Sequence, residues 1–244
     1  MRKMSKKGSL FVIMVAIFII VVLAAAFIFN NKITGTAVER NLATNQKSSN
    51  QVQVTIPPHA VQIADDVFYL GTAIHKGESV EGYMFIDSKN ENAKPVGVGK
   101  GGGAKCFAFL SSGAKWKTLE PWIVNPANTK GLIDSFVSSN LAADIQKWED
   151  ASAHDILGDG STTIDTLVAD TISPDNQNEV YFGDIANSGA IAVTIVWGIF
   201  SGPPSQRKLV EWDQVYDQVD FDWSATGEAG KMDFENIATH EIGH

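Results

Sequence analysis

The last five residues of the chain are His240-Glu241-Ile242-Gly243-His244, two imidazoles four positions apart with a carboxylate between them. On an α-helix a spacing of four is about one turn, so both rings leave one face toward a common point. Glu241 is rotated about 100° from His240, which lets its carboxylate reach a water held at that point. Two neutral imidazoles so placed can grip a zinc ion, and the His-Glu-x-x-His pattern is complete. Zinc lowers the pKa of a bound water toward about 7, and a neighbouring carboxylate can take its proton and later deliver it to a departing amine. Peptide hydrolysis is the chemistry this set serves best, with His240 and His244 as metal ligands and Glu241 as general base.

Such a triplet works only if a helix presents it. Asp233 is a good N-cap, and Met232 before it can staple onto Ile237, so the sequence predicts a helix starting there. Phe234, Ile237, Ala238 and Ile242 fall on one face of it and would anchor it to a core. Further upstream, residues 119–124 read as a strand, which Asn125-Pro126 breaks. A helix then places Val137, Leu141, Ile145 and Trp148 on one stripe at spacings of four, four and three. Residues 153–178, rich in Asp, Gly, Ser, Thr and Asn, read as a long loop region carrying one short strand around Leu167-Val168. Three further strands are predicted over 180–185, 190–197 and 209–216. Strand, helix, several strands and helix make a mixed α+β architecture.

The rest of the chain is organised by charge and hydropathy. Residues 1–9 form a basic tail holding Arg2, Lys3, Lys6 and Lys7, and residues 10–29 are an uninterrupted apolar run of twenty. Twenty helical residues rise about 30 Å, the thickness of a bilayer core, so the run is expected to be a retained single-pass anchor rather than a cleaved signal. The four cations should keep the N-terminus cytoplasmic and place everything after Asn30 outside. The chain carries −9 overall, and since residues 1–29 hold four cations and no acid, the remainder stands at −13, which argues against nucleic acid as a partner. Residues 30–60 read as a flexible polar tether, 61–96 as a small β segment, 97–104 as a Gly-rich linker, and 105–244 as the main domain. His75, alone in the β segment, reads as structural. Cys106 is the only cysteine, so no intrachain disulfide can form and no thiolate cluster can hold zinc. It reads as a small buried hydrophobe.

From Phe107 to His244 the sequence resembles the metzincin clan, and within it the matrixin-like metallopeptidases. Gly113-Ala114-Lys115-Trp116 followed by Ile123-Val124-Asn125-Pro126 is similar to the family's first strand, and Ile145-Gln146-Lys147-Trp148-Glu149-Asp150-Ala151 to its long first helix. Asn178–Gly183 and Ala190-Ile191-Ala192-Val193-Thr194 resemble its paired third and edge strands. Glu211-Trp212-Asp213-Gln214-Val215-Tyr216 resembles the strand before the active-site helix, and Asn236 to His244 that helix itself. The resemblance implies a zincin-like mixed twisted sheet with two main helices. It also implies catalytic Zn2+ on His240 and His244, and substrate added as an antiparallel strand along Ala190, Ile191, Ala192, Val193 and Thr194.

Matrixin relatives often bind Ca2+ or a second zinc in the long loop, where His154, Asp155, Asp159 and Asp165 fall, although their spacing fits no ligand template. In the metzincin pattern a Gly, a third ligand and a methionine turn follow the second histidine. The 244 residues are therefore expected to be the N-terminal part of a longer reading frame, without the C-terminal subdomain and inactive as they stand. Two rival readings use the same residues. One is a zincin whose third ligand is a distant glutamate. The other is a non-catalytic surface module, against which Glu241 weighs because a structural zinc needs no base.

Overall fold

The computed structural model of the chain describes residues 52–89, 109–152 and 154–244. The basic tail, the apolar run 10–29, most of the tether, the Gly-rich linker and Cys106 lie outside the described residues. Among those described, no helix is long and apolar enough to cross a membrane.

The fold is α+β, with a mixed eight-stranded sheet and two helices. In chain order the elements are β1 (Val61–Ala64), β2 (Val67–His75), β3 (Glu78–Ser88), β4 (Trp122–Asn125), α1 (Asp134–Ser152), β5 (Gly160–Thr162), β6 (Asn178–Gly183), β7 (Ala190–Ile199), β8 (Lys208–Asp217), β9 (Trp223–Ser224), β10 (Met232–Asp233) and α2 (Phe234–Glu241). The strands of the large sheet lie in the order β1-β2-β3-β7-β8-β6-β4-β5, and β9 and β10 form a separate short pair. One half of the sheet, β8-β6-β4-β5, is parallel. The other half, β1-β2-β3-β7, is antiparallel and joins the first through an antiparallel β7–β8 pair.

The parallel half follows from chain length. Strands β4 and β5 are neighbours running the same way, which needs a long crossover, and α1 supplies it. Asn125 ends β4 as its side-chain oxygen accepts from Ala127 N at 3.1 Å and its amide donates to Asp165 O at 2.7 Å. Val137, Leu141 and Ile145 of α1 are buried against Trp122, Val124, Phe182 and Val196, as their spacing predicts. Each buried side chain of that size contributes roughly 1.5–3 kcal/mol relative to exposure. Trp148, the fourth member of the stripe, is 38% exposed instead. It leans over α2, where its indole N–H donates to Thr239 O at 2.7 Å.

The opposite face of the sheet is buried too. Val80, Met84, Ile86, Val193, Ile195, Trp197 and Val215 form a second apolar layer, covered by Leu167, Ala169 and Val54. The strand expected around Leu167-Val168 is absent, and β5 forms at Gly160–Thr162 instead. Side chains take the backbone of that loop in place of a ladder: Val168 N donates to Glu179, Ala169 N to Tyr181 Oη and Asp170 N to Asp213.

Two further features differ from expectation. The end of the presumed tether is docked, since Val54 is buried and its N–H and C=O are taken by Asp184 O and Ala186 N. More consequentially, β7 is not an edge. Residues Ala190, Ile191, Ala192, Val193 and Thr194 are buried and paired on one side with β8 and on the other with β3, where Phe85 faces Thr194 and Asp87 faces Ala192. The physical reason is that β3 alternates Val80, Met84 and Ile86 on one face with Tyr83 and Phe85 on the other. A strand apolar on both faces belongs inside a sheet. For the same reason β6 and β7 are not paired with each other: β8 lies between them.

Candidate metal centre

Helix α2 is fixed at its start by an aromatic cluster. The Phe234 ring stacks on Phe182 at 5.5 Å and meets Tyr216 and Trp223 edge-on at 5.1 and 5.8 Å. Asp233 is the N-cap residue with extended backbone, although its side chain makes no capping hydrogen bond. Met232 contributes to β10 and is partly buried against the core. Phe234, Ala238 and Glu241 are the buried residues of the helix, spaced four and three, so the sheet-facing stripe is set and the rotation of the helix with it. Along its other flank, Asp144 of α1, fully buried, accepts from Thr239 Oγ1 at 2.9 Å and from Lys147 Nζ at 2.7 Å, and Lys147 also binds Glu235.

The regular helix ends at Glu241, and the chain continues as a tighter turn. Gly243 N donates to His240 O and His244 N to Glu241 O. That turn brings His244 back over the helix end, with the His240 and His244 ring centroids 4.9 Å apart and nearly perpendicular. Gly243 is packed closely there: a Cβ at this position would sit 2.5 Å from the Trp148 ring and 3.0 Å from His240 O. Side-chain ligand atoms of His240, Glu241 and His244 all lie within 4.8 Å of one another, the two imidazoles exposed and the carboxylate buried. The structure thus brings together all three residues that the sequence singles out for chemistry.

Thr194 of β7 donates its hydroxyl to Glu241 Oε2 at 2.7 Å, with both side chains fully buried. Oε1 of Glu241 is buried without a hydrogen-bond partner. Burial pushes the Glu241 carboxyl up to about 8, with Asp87 adding to the rise and the Thr194 hydroxyl opposing it. His244 lies flat on the Phe85 ring, centroids 4.6 Å apart at 18°. Although its rim meets solvent, desolvation first and neighbouring His240 second hold it down to about 4. It is neutral at physiological pH, as a metal ligand must be. A cation fits this donor set. Two imidazole nitrogens and a carboxylate oxygen lie within 4.8 Å of one another, and one oxygen of that carboxylate is orphaned, the arrangement that a metal with an ordered water would satisfy. An apolar cleft of about 550 Å³ opens next to His244, walled by Trp116, Trp148, Leu209, Trp212 and Ile242.

The acids expected as calcium ligands do not converge. Among the described residues His154, Asp155, Asp159 and Asp165 form no group able to hold an ion. The cluster that does form is Asp170, Glu211 and Asp213, on the far face of the sheet. Glu211 is 1% exposed, and burial raises its carboxyl to about 10. Its Oε1 and Asp170 Oδ2 are both buried without a hydrogen-bond partner. Asp213 accepts from Asp170 N and Glu179 N and is also raised well above the usual range by burial. A proton shared between Glu211 and Asp170, or a cation, would satisfy these oxygens. The sequence signal for this cluster was two acids at alternate positions, Glu211 and Asp213, inside an otherwise apolar strand. His75 is buried at the end of β2, apart from both groups.

Comparison of the chain with family profiles, with curated proteins and with solved structures finds no match.

Proposed function

We propose that this chain is a zinc-dependent endopeptidase of the matrixin type, anchored in the membrane by residues 10–29 and facing outward, acting on peptide or protein substrates. The observation that carries the reading is the convergence of His240, His244 and Glu241, with one oxygen of a fully buried carboxylate left without a partner beside two imidazoles. The order of elements supports it: strand β4, the long helix α1, strands β6, β7 and β8, and then α2 stand at the residues that carry the resemblance.

In this reading His240 and His244 hold the ion, which when bound supplies Lewis acidity to a water and to the scissile carbonyl. Thr194 holds Oε2 of Glu241, so that Oε1 alone faces the reacting centre. Burial raises the carboxyl to about 8, so it holds a proton readily, as delivery to a leaving amine requires, and a bound cation would lower it for the step in which it takes one. Phe85, stacked on His244, fixes the ring plane and shields one face of the site from water.

Metal analysis of the purified full chain tests this directly. About one zinc per chain is expected in the wild type, retained in Glu241→Gln and lost in His240→Ala and His244→Ala. Cleavage of quenched fluorescent peptides should collapse in Glu241→Gln at unchanged zinc content. Equal cleavage by the two proteins would remove Glu241 from the mechanism.

A further inference from the structure

We infer that Asp170, Glu211 and Asp213 bind a divalent cation, calcium by its donors, on the face of the sheet opposite the two histidines. The ion fastens the loop over 169–176 to strand β8. This site is separate from His240 and His244 and stands whether or not zinc binds them.

Glu211 and Asp213 stand at alternate positions of β8, so their side chains share one face of the sheet. The loop covers that face: Asp170 N donates to Asp213 Oδ2 at 2.8 Å, and Asn176 N to Glu211 Oε2. Ligand oxygens of Asp170, Glu211 and Asp213 all lie within 4.8 Å of one another. Bonds of about 2.3–2.6 Å let two oxygens on one Ca2+ stand up to about 5 Å apart, so a single ion spans the three. The independent sign of a ligand is Glu211 itself, which is 1% exposed and yet has an Oε1 without a hydrogen-bond partner. Asp170 Oδ2, on the loop side, is also buried and unpartnered. Buried oxygens in folded proteins rarely stay so unless an ion or a water binds them. Charge points the same way. Among the described residues no Lys or Arg forms an ion pair with the three acids, and the charges acting on them are one another, Asp175 and Glu179. One shared proton would bridge Glu211 and Asp170 but leave a third buried carboxylate, Asp213, uncompensated beside them. A divalent ion offsets two charges and meets both orphaned oxygens at once. The donors are all carboxylate oxygens, a set that suits calcium better than zinc, and waters complete its shell of roughly six to eight oxygens. Asp170 is partly exposed, which gives the ion its way in.

The test uses Tb3+ as a luminescent stand-in for Ca2+, bound to the full chain in detergent near neutral pH. Trp197 donates its indole N–H to Asp170 O at 2.7 Å, so it lies close enough to excite a lanthanide held there. Tryptophan-sensitised Tb3+ emission that saturates at one equivalent and is displaced by Ca2+ is expected in the wild type. Asp170→Asn and Glu211→Gln should each weaken Ca2+ binding at least tenfold, and Asp155→Asn, an acid outside the cluster, should leave it within about twofold. Urea unfolding checks that each variant is folded, and Asp170→Asn, on the loop, carries the test if Glu211→Gln is not. The double variant His240→Ala/His244→Ala should bind Ca2+ as the wild type does, which separates failure here from failure of the zinc reading. Absence of Ca2+-displaceable emission, or equal Ca2+ affinity in the wild type and the folded cluster variants, would overturn the assignment. An equal loss in Asp155→Asn would show diffuse attraction to an acidic surface, and a loss confined to the histidine variant would place the ion at the other centre. Either result would overturn it as well.

Discussion

The buried carboxyl of Glu211 makes stability depend on pH in a direction opposite to that of most acids. Its ordinary value is 4.5 and burial lifts it to about 10. Below pH 4.5 the folded and unfolded states both hold the proton and Glu211 adds no slope. Above it the unfolded chain gives the proton up first, so stability falls as pH rises, until about pH 10. One extra proton in the folded state costs up to about 1.4 kcal/mol per pH unit, or about 4 kcal/mol between pH 5.5 and 8.5. Asp170, itself raised by burial beside Glu211, keeps part of this slope when Glu211 is replaced, so about half of it, roughly 2 kcal/mol, is the difference expected. Glu211→Gln removes the titrating group and keeps the contacts. Its carbonyl can still accept from Asn176 N, and its amide can donate to the orphaned Asp170 Oδ2. Urea unfolding followed by tryptophan fluorescence, at pH 5.5, 7 and 8.5 in EDTA, should show the wild type losing stability with rising pH and the variant losing roughly 2 kcal/mol less. An identical slope in the two proteins would refute this. Millimolar calcium is a second arm. If it raises the wild-type midpoint at pH 8.5 and leaves Glu211→Gln unmoved, a cation replaces the proton in this cluster.

Two glycines test how far a neighbour can give way. A Cβ on Gly82 would sit 2.6 Å from the fully buried Trp197 ring, which cannot move, so Gly82→Ala should cost roughly 2–3 kcal/mol in urea unfolding. Gly243→Ala meets the half-exposed Trp148, whose ring can swing outward at the loss of its bond to Thr239 O, and His240 O at 3.0 Å, which must give by a few tenths of an ångström, so it should cost about 1–2 kcal/mol. A larger loss at Gly243 than at Gly82 would contradict the packing described. Lys147→Met strips a buried carboxylate, Asp144, of its cation. Because Lys147 is 44% exposed, the expected loss is about 1–2 kcal/mol, and it should be suppressed in the double variant Lys147→Met/Asp144→Asn. Additive losses in that double-mutant cycle would mean the pair does not act together.

Local order determined a good deal. The spacing of Val137, Leu141 and Ile145 specified α1 and its buried face, and Asn125-Pro126 marked the end of β4. The strands were legible as runs over 190–197 and 209–216, within a residue or two of the observed bounds, and the spacing of His240 and His244 foretold that their rings meet, although a turn beyond the end of α2, not the helix itself, carries His244. These are short-range features, set by backbone period and turn chemistry, and they survive whatever the rest of the chain does. What the sequence left open was who neighbours whom. Nothing local in residues 190–194 says whether β7 is an edge, because a strand buried on both faces reads the same with one partner or two. Only the tertiary structure seats β3 against β7, and with it Phe85 on His244 and Asp87 toward His240. The same holds for Thr194 against Glu241, 47 positions apart, and for the convergence of Asp170 on Glu211 and Asp213. The two histidines and the glutamate were written in one stretch of five residues. The residues that orient and desolvate them come from strands whose pairing depends on long-range burial, and no sequence period records it.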